Sequence, residues 1–368
     1  MIDVVIPFYN NSFIQINTTL LTIIKQTIFK STTIYIINDA SSNAVALDEV
    51  KKKYPYDNIV YLINEKNSGP GVSRNQGIIK GSQDFIYFLD ADDYIPEENS
   101  LENLYNAAIK YKADVVIGEV YNLNEPGKIN IGNEELPEGF VNDFYTGVSF
   151  QGNLYRRSFL EQNHILFPAS YFCEENNFTA QVRFYNAILY HIKKKTYGHT
   201  LNKNSITYLD NNISDKYRIF LELNTAVHSL LDIVKYHKNQ EDFINAFTNT
   251  IQSLNFPNNV FRNCYYSGSP LILILYYYGK IVYNIGEKYN LNNIDCWTKD
   301  SGIGAKLYGY YSNNIQSIDY CGKMYNFSEI KNLIAKIDKE LKTVKKDYDL
   351  SINCPWNELE LFGEYIDK

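Results

Sequence analysis

The chain has 368 residues, 45% of them apolar and 21% charged, a balance that belongs to a folded protein and excludes whole-chain disorder, collagen and coiled coil. At roughly 100 to 200 residues per domain, the length calls for two domains or one enlarged one. Lys and Arg number 35 against 42 Asp and Glu, a net charge of -7, which excludes a general polyanion binder with a broad basic surface and, with it, nucleic acid as a partner.

The first hundred residues alternate between two patterns. Ile2 to Ile6, Thr33 to Ile37, Ile59 to Ile63 and Phe85 to Leu89 are short apolar runs that predict strands. Between them, Phe13 to Gln26, Val45 to Tyr54 and Gly71 to Lys80 carry apolar residues at helical spacing. Such alternation predicts parallel βαβ units with right-handed crossovers, which bring the C-terminal ends of the strands to one edge of a sheet. Ligands bind at that edge. Each strand runs into polar or turn-forming residues there: Pro7-Phe8-Tyr9-Asn10, Asn38-Asp39-Ala40-Ser41, Asn64-Glu65-Lys66-Asn67 and Asp90-Ala91-Asp92-Asp93.

A further helix over Pro96 to Tyr111 and a strand over Asp114 to Val120 follow. Asn122 to Gly139, rich in Asn, Glu, Pro and Gly, reads as a hairpin or mobile loop. Alternation continues to about Asp210. Beyond Ser214, Tyr217 to Tyr236 and Glu241 to Leu254 have helical spacing, and Ile330, Leu333, Ile334, Ile337, Leu341 and Val344 form one helical stripe flanked by lysines. Tyr289 to Phe327 has no clear period. The five cysteines, Cys173, Cys264, Cys296, Cys321 and Cys354, are scattered without a CxxC pair, which fits a reducing cytoplasm. The N-terminus has no signal-peptide pattern, and the most apolar later stretch, Leu271 to Tyr278, is too short to span a bilayer.

Asp90-Ala91-Asp92-Asp93 stacks three carboxylates on one turn. Uncompensated, they repel; a hard cation such as Mg²⁺ or Mn²⁺, which takes one or two carboxylates and completes its shell with phosphate and water, relieves this. A solvated acidic turn ahead of the next helix is the alternative reading.

The order of the pieces is more specific than any one of them. Val4-Val5-Ile6-Pro7-Phe8-Tyr9-Asn10, Asn38-Asp39-Ala40-Ser41-Ser42, Asn67-Ser68-Gly69-Pro70-Gly71-Val72-Ser73-Arg74-Asn75-Gln76-Gly77 and Asp90-Ala91-Asp92-Asp93, in this order and spacing, resemble the family 2 glycosyltransferases of the GT-A fold. The resemblance is tight over the first 120 residues and looser through Asn153 to Leu160, Phe167-Pro168, Glu174-Glu175-Asn176-Asn177-Phe178, Tyr197 and Ser205 to Thr207. It implies an α/β architecture: a Rossmann-like GT-A domain over 1–212, with a mixed central sheet and flanking helices, followed by a mainly helical C-terminal domain over 213–368.

The resemblance further implies an inverting transferase that uses Mn²⁺ or Mg²⁺ and moves a hexose or N-acetylhexosamine from a nucleotide diphosphate, a UDP-sugar by preference, to a glycan or lipid-linked hydroxyl in surface-polysaccharide synthesis. Pro7, Tyr9 and Asp39 would surround the base. Asn67, Gly69 and Arg74 would approach the nucleotide or its phosphates. Asp90, Ala91 and Asp92 would hold the ribose and metal, with Asp93 a substitute ligand. The family's base, the second acid of a Glu-Asp pair, falls on Glu175, whose extra methylene reaches about 1.5 Å further on C–C bond length. Either the acceptor sits back or Glu174 takes the role; as plain helix-opening acids, both would complement the helix dipole. His199 is a candidate ligand to metal or diphosphate. Arg156 and Arg157 are candidates for an acidic acceptor. Gln151 and Asn153 depart from the Trp and Lys of the family.

A sugar-1-phosphate nucleotidylyltransferase, which needs a glycine-rich loop near the N-terminus, is disfavoured because Pro7 to Ser12 contains no glycine. A non-catalytic nucleotide-sugar or carbohydrate-binding assembly protein on the same fold is the alternative. The C-terminal domain leaves a homodimer or peripheral contact with the inner face of the cell membrane as partner readings.

Overall fold

The structure, a computed structural model, describes residues 1–42, 45–122, 136–141, 150–168, 174–185, 187–200, 273, 317–320 and 322–344. The chain falls into two compact units, Met1–Ser205 and Ile206–Lys368. The sequence elements at 217–236 and 241–254 lie outside the described residues.

In the first unit the anticipated alternation is present: β1 (Ile2–Phe8), α1 (Phe13–Ile24), β2 (Thr32–Asn38), α2 (Val45–Lys53), β3 (Ile59–Ile63), α3 (Gly69–Lys80), β4 (Phe85–Phe88), α4 (Ser100–Lys110) and β5 (Val115–Asn122). Then come β6 (Gly139–Val141), β7 (Leu154–Arg156), α5 (Arg157–Gln162), α6 (Glu174–Phe184) and β8 (Leu189–His199). Among the described residues these strands form one sheet in the order β3-β2-β1-β4-β7-β5-β8-β6. β1 pairs in parallel with β2 and β4, and β2 with β3. β7 runs antiparallel between β4 and β5, β8 is parallel to β5, and β6 is antiparallel to β8. The sheet is mixed, as the resemblance implies.

Both faces of the sheet are covered, which is why its central strands read as continuous apolar runs rather than alternating ones. Val4, Ile6 and Phe8 of β1 pack with Ile16 and Leu20 of α1, Leu47 and Val50 of α2, and Leu101 and Leu104 of α4. Val5 points the other way, into a core with Ile78 of α3, Leu160 of α5, and Phe178 and Val182 of α6. The strand order reverses at β1 and β4, so the turns after these two strands open at a topological switch point, where sheets of this kind bind ligands.

Two helices depart from their expected bounds, each for a local reason. α4 begins at Ser100 rather than Pro96, because Gln26 grips the preceding turn: its Nε2 donates to the Glu97 carbonyl and its Oε1 accepts from the Leu101 amide. α3 begins at Gly69, earlier than its apolar spacing suggests, because the Asp39 carboxylate accepts from the Ser68 and Gly69 amides. Gly69 has φ +86, a left-handed conformation that costs other residues roughly 1–2 kcal/mol.

In the second unit β9 (Ser317–Tyr320) and β10 (Lys323–Asn326) form an antiparallel pair, inside the stretch that shows no period. α7 (Phe327–Val344) carries the lysine-flanked stripe, with Ile330, Ile334 and Ile337 buried and Lys331, Lys336 and Lys339 exposed. No helix among the described residues is long and apolar enough to cross a membrane.

Candidate active site

The acidic turn after β4 is resolved in a way its sequence does not show. Asp90 is one-quarter exposed, and its Oδ1 accepts from Arg74 Nη2 at 2.7 Å. Asp93 is buried: its Oδ2 accepts from the Tyr197 hydroxyl at 2.5 Å and its Oδ1 from the Thr200 amide at 2.7 Å. Burial, and then the charges of Asp90 and Asp92, raise the Asp93 carboxyl well above the ordinary carboxylate range, so it holds its proton far more readily than a surface aspartate. Asp93 is therefore a structural residue and not a substitute ligand. Of the three carboxylates, one is neutralised by arginine and one is buried against a tyrosine. The mutual repulsion that seems to demand a cation is largely relieved within the protein, and Asp92 is half-buried.

Several elements hold this turn. From α1, the Thr19 hydroxyl reaches the carbonyls of Ala91 and Asp93 at 2.9 and 2.7 Å. Ala91 is itself buried. Tyr94 and Gly198 exchange backbone hydrogen bonds, which fastens the turn to the end of β8 and brings it beside the segment that carries His199. The Tyr197 hydroxyl also lies 3.4 Å from Asp90 Oδ2, and Gln151 Nε2 lies 3.5 Å from the same oxygen. Burial first, and then Asp90 and Asp93, raise the proton affinity of Tyr197, which keeps its hydroxyl neutral.

Arg74 sits at the centre. It is buried, pairs with Asp90 on one side and through Nη1 with Glu174 Oε1 at 2.7 Å on the other, and lies against the rings of Phe150 and Phe167 at 4.2 and 5.2 Å. Burial works against its charge, but the two carboxylates outweigh that and hold its proton more tightly than usual. The guanidinium expected to face phosphates is thus engaged by two acids. Glu174 is buried in this pair. Glu175, next to it on the first turn of α6, is half-buried. Burial and the neighbouring charge of Glu174, with a smaller push from Asp90 and against the pull of Arg74, raise its carboxyl to about 7. That value is matched to general-base work near neutral pH.

The first two strand ends complete the rim. Half-buried Pro7 lies near the end of β1, and Tyr9, 36% exposed, follows it. Asp39 is buried and already accepts three hydrogen bonds, from Asn64 Nδ2 at 2.7 Å and from the Ser68 and Gly69 amides at 2.9 and 2.8 Å. Burial raises its carboxyl, and these partners, with Ser73, pull it back. Asn67 Oδ1 accepts from the Gly69 amide at 3.3 Å.

Residues 3–185 match the model of the glycosyl transferase family 2. The N-terminal unit is a family 2 glycosyltransferase domain. Among curated relatives, glycosyltransferase GlyA of Streptococcus pneumoniae is 32% identical over 42% of this chain and 21% of that protein. The poly(ribitol-phosphate) beta-N-acetylglucosaminyltransferase TarP of Staphylococcus aureus is 29% identical over 49% of this chain and 56% of that one. The chain thus spans between about a fifth and about a half of the length of these relatives. The crystal structure of residues 1–349 of S. aureus TarS, in complex with UDP-GlcNAc, matches with a TM-score of 0.53 and 19% identity, covering 88% of this chain and 96% of that one. This likeness establishes the fold.

Within this glycosyltransferase domain, the acidic turn, Arg74, Glu174, Tyr197 and Gln151 are joined by contacts, and Asp39 orders the neighbouring glycine loop. Two expectations fail. Arg157 is buried on Asp3 at 2.6 Å, with its other nitrogens on the Gln83 and Ile78 carbonyls. Arg156 donates to the Ala108 and Ala113 carbonyls. Both brace the sheet beneath the site, because a guanidinium at the β7–α5 junction finds uncapped carbonyls and a buried carboxylate within reach, so neither is open to an acidic acceptor. Among the described residues, no three His, Cys, Asp or Glu side chains come together as a metal-holding group, so His199 is near the turn without forming a cluster with Asp90 and Asp92. The carboxylates of Asp92 and Asp90 are oxygen donors of the kind a hard divalent cation takes, with the rest of its shell drawn from diphosphate and water. Sequence reasoning missed the Arg74–Glu174 pair, which joins residues a hundred positions apart. The available signal was generic: a lone arginine within a glycine-rich helix start needs carboxylate partners once buried.

Proposed function

We propose that this domain transfers a sugar from a nucleoside-diphosphate donor, UDP-N-acetylglucosamine or a related UDP-sugar, to a hydroxyl of a cell-surface polymer, with inversion at the anomeric carbon. One observation carries the reading: Glu175, a half-buried carboxyl with a proton affinity near neutrality, stands one residue from the acid that shares Arg74 with Asp90. A base is thereby tied to the turn that would face the donor diphosphate. The names of TarP and of the TarS complex support the donor class and a polyol-phosphate acceptor.

In this reading Tyr9 and Pro7 flank the base, and Asp39 takes the hydrogen bond of a uracil imide. Asp92 and Asp90 would hold a Mn²⁺ or Mg²⁺ ion, which supplies positive charge to the leaving diphosphate when bound. Glu175 removes the proton from the acceptor hydroxyl as that oxygen attacks the anomeric carbon from the face opposite the diphosphate. Attack from that face in a single displacement inverts the centre, as in hydrolases that place a base across the ring. Arg74 and the Asp93–Tyr197 pair react with nothing; they keep Asp90 and the turn in place.

The test is turnover. With a panel of UDP-sugars, Mn²⁺ and a poly(ribitol phosphate) acceptor, the wild type should release UDP and label the polymer. If UDP binds but no donor is consumed, the binding-only reading replaces this one.

A further inference from the structure

Two adjacent acids open α6, and the structure treats them differently. Glu174 is 5% exposed and fixed by Arg74 at 2.7 Å. Glu175 is half-buried. Successive helical residues diverge by about 100°, so fixing the first acid toward Arg74 turns the second in another direction. The same guanidinium grips Asp90 with its other terminal nitrogen, also at 2.7 Å, and is clamped on the rings of Phe150 and Phe167. A planar fork can serve two carboxylates at once in a set geometry, whereas a lysine ammonium is a point charge on a flexible stem. Arg74 therefore bridges the acidic turn after β4 and the first turn of α6.

We propose that Arg74 is a positioning residue: by holding Glu174 and Asp90 together it assigns the role of base to Glu175 and sets that base against the donor turn. This rests on the transferase reading above. It differs from a plain structural ion pair in what it moves. A structural pair contributes to stability alone. A positioning pair acts through Glu174, so the effects of removing Arg74 and of neutralising Glu174 overlap instead of multiplying. It also acts on how readily Glu175 ionises, because the groups that bear on that carboxyl are Glu174, Arg74 and Asp90, and only Arg74 favours the charged form.

The experiment measures UDP release from UDP-N-acetylglucosamine with Mn²⁺ by the full chain, together with melting temperature, for wild type, Arg74→Lys, Arg74→Met, Glu174→Gln and the Arg74→Met/Glu174→Gln double variant. Arg74→Met should lower kcat about a hundredfold, within the range that a misplaced base costs. Arg74→Lys should recover less than a tenth of that rate despite its charge. Glu174→Gln should lose about tenfold, and the double variant should fall within about threefold of Arg74→Met alone. The acid limb of kcat/KM in Arg74→Met should move to higher pH. If Arg74→Met does not fold, Arg74→Lys with Glu174→Gln is read by the same cycle. Losses that multiply, or a lowered melting temperature with kcat and pH profile unchanged, overturn the proposal. An active wild type with either of those outcomes overturns it alone, whereas a wild type that consumes no UDP-sugar overturns the transferase reading and this inference with it.

Discussion

Burial first and the charge of Glu174 next raise the Glu175 carboxyl to about 7. The sign of the consequence differs for activity and stability. An unfolded glutamate releases its proton near 4.3, whereas native Glu175 keeps it to about 7. The native state therefore binds more protons between those values, and the stability that Glu175 contributes is complete below about 4.3 and lost as pH rises through about 7. Activity should climb over the same interval as the base ionises. Urea midpoints at pH 5 and pH 8 check the first half: the advantage of wild type over Glu175→Gln should shrink at the higher pH. At pH 7.5, Glu175→Gln should lower transfer about 10³-fold, as loss of a general base does, with UDP affinity changed less than about threefold. At this scale the acidic turn was legible, because three carboxylates after an apolar strand are visible in any reading. Their pairing was not: Asp90 answers to Arg74, 16 residues away, and Asp93 to Tyr197, 104 residues away. Only the fold brings such partners together.

Elements were read most securely where both faces are buried. β1 to β4 declare themselves as apolar runs, and the helices between them by their spacing. β6 and β7, three residues each, are too short to show a period, and the early start of α3 and late start of α4 are set by Asp39 and Gln26 from other elements. The contacts that position the site are testable here. A Cβ on Gly77 would stand 2.4 Å from the Val5 side chain, so α3 lies as close to β1 as a glycine allows. Gly77→Ala should cost roughly 1–3 kcal/mol as overpacking, seen as a lower urea midpoint. Tyr197→Phe removes the donor to Asp93 Oδ2 and leaves that oxygen buried without its closest partner, at a cost of about 1–3 kcal/mol. Because the same hydroxyl touches Asp90, the donor KM should rise as well, and a kinetic assay beside the melt separates the two effects.

For the molecule as a whole, the negative charge observed at the outset now has an address. Asp39, Asp90, Asp93 and Glu174 are acids with hydrogen-bond partners inside the fold, while Asp92 and Glu175, both half-buried, are the acids proposed to serve the chemistry. The two units make a further expectation specific. Ligand that binds only the native N-terminal unit stabilises it by about 2.7 kcal/mol at a hundred times its Kd, so UDP with Mn²⁺ should raise that unit's calorimetric transition by roughly 5–10 °C. The transition of the second unit should stay in place where the two are separable. The central claim, that Asp92 and Glu175 serve donor binding and proton removal respectively, is tested most directly by measuring UDP affinity and sugar transfer on the same preparations of wild type, Asp92→Ala and Glu175→Gln with UDP-N-acetylglucosamine and Mn²⁺. On this claim both variants lose transfer, Asp92→Ala together with metal-dependent UDP binding and Glu175→Gln without it. Full transfer rate in both variants would contradict it.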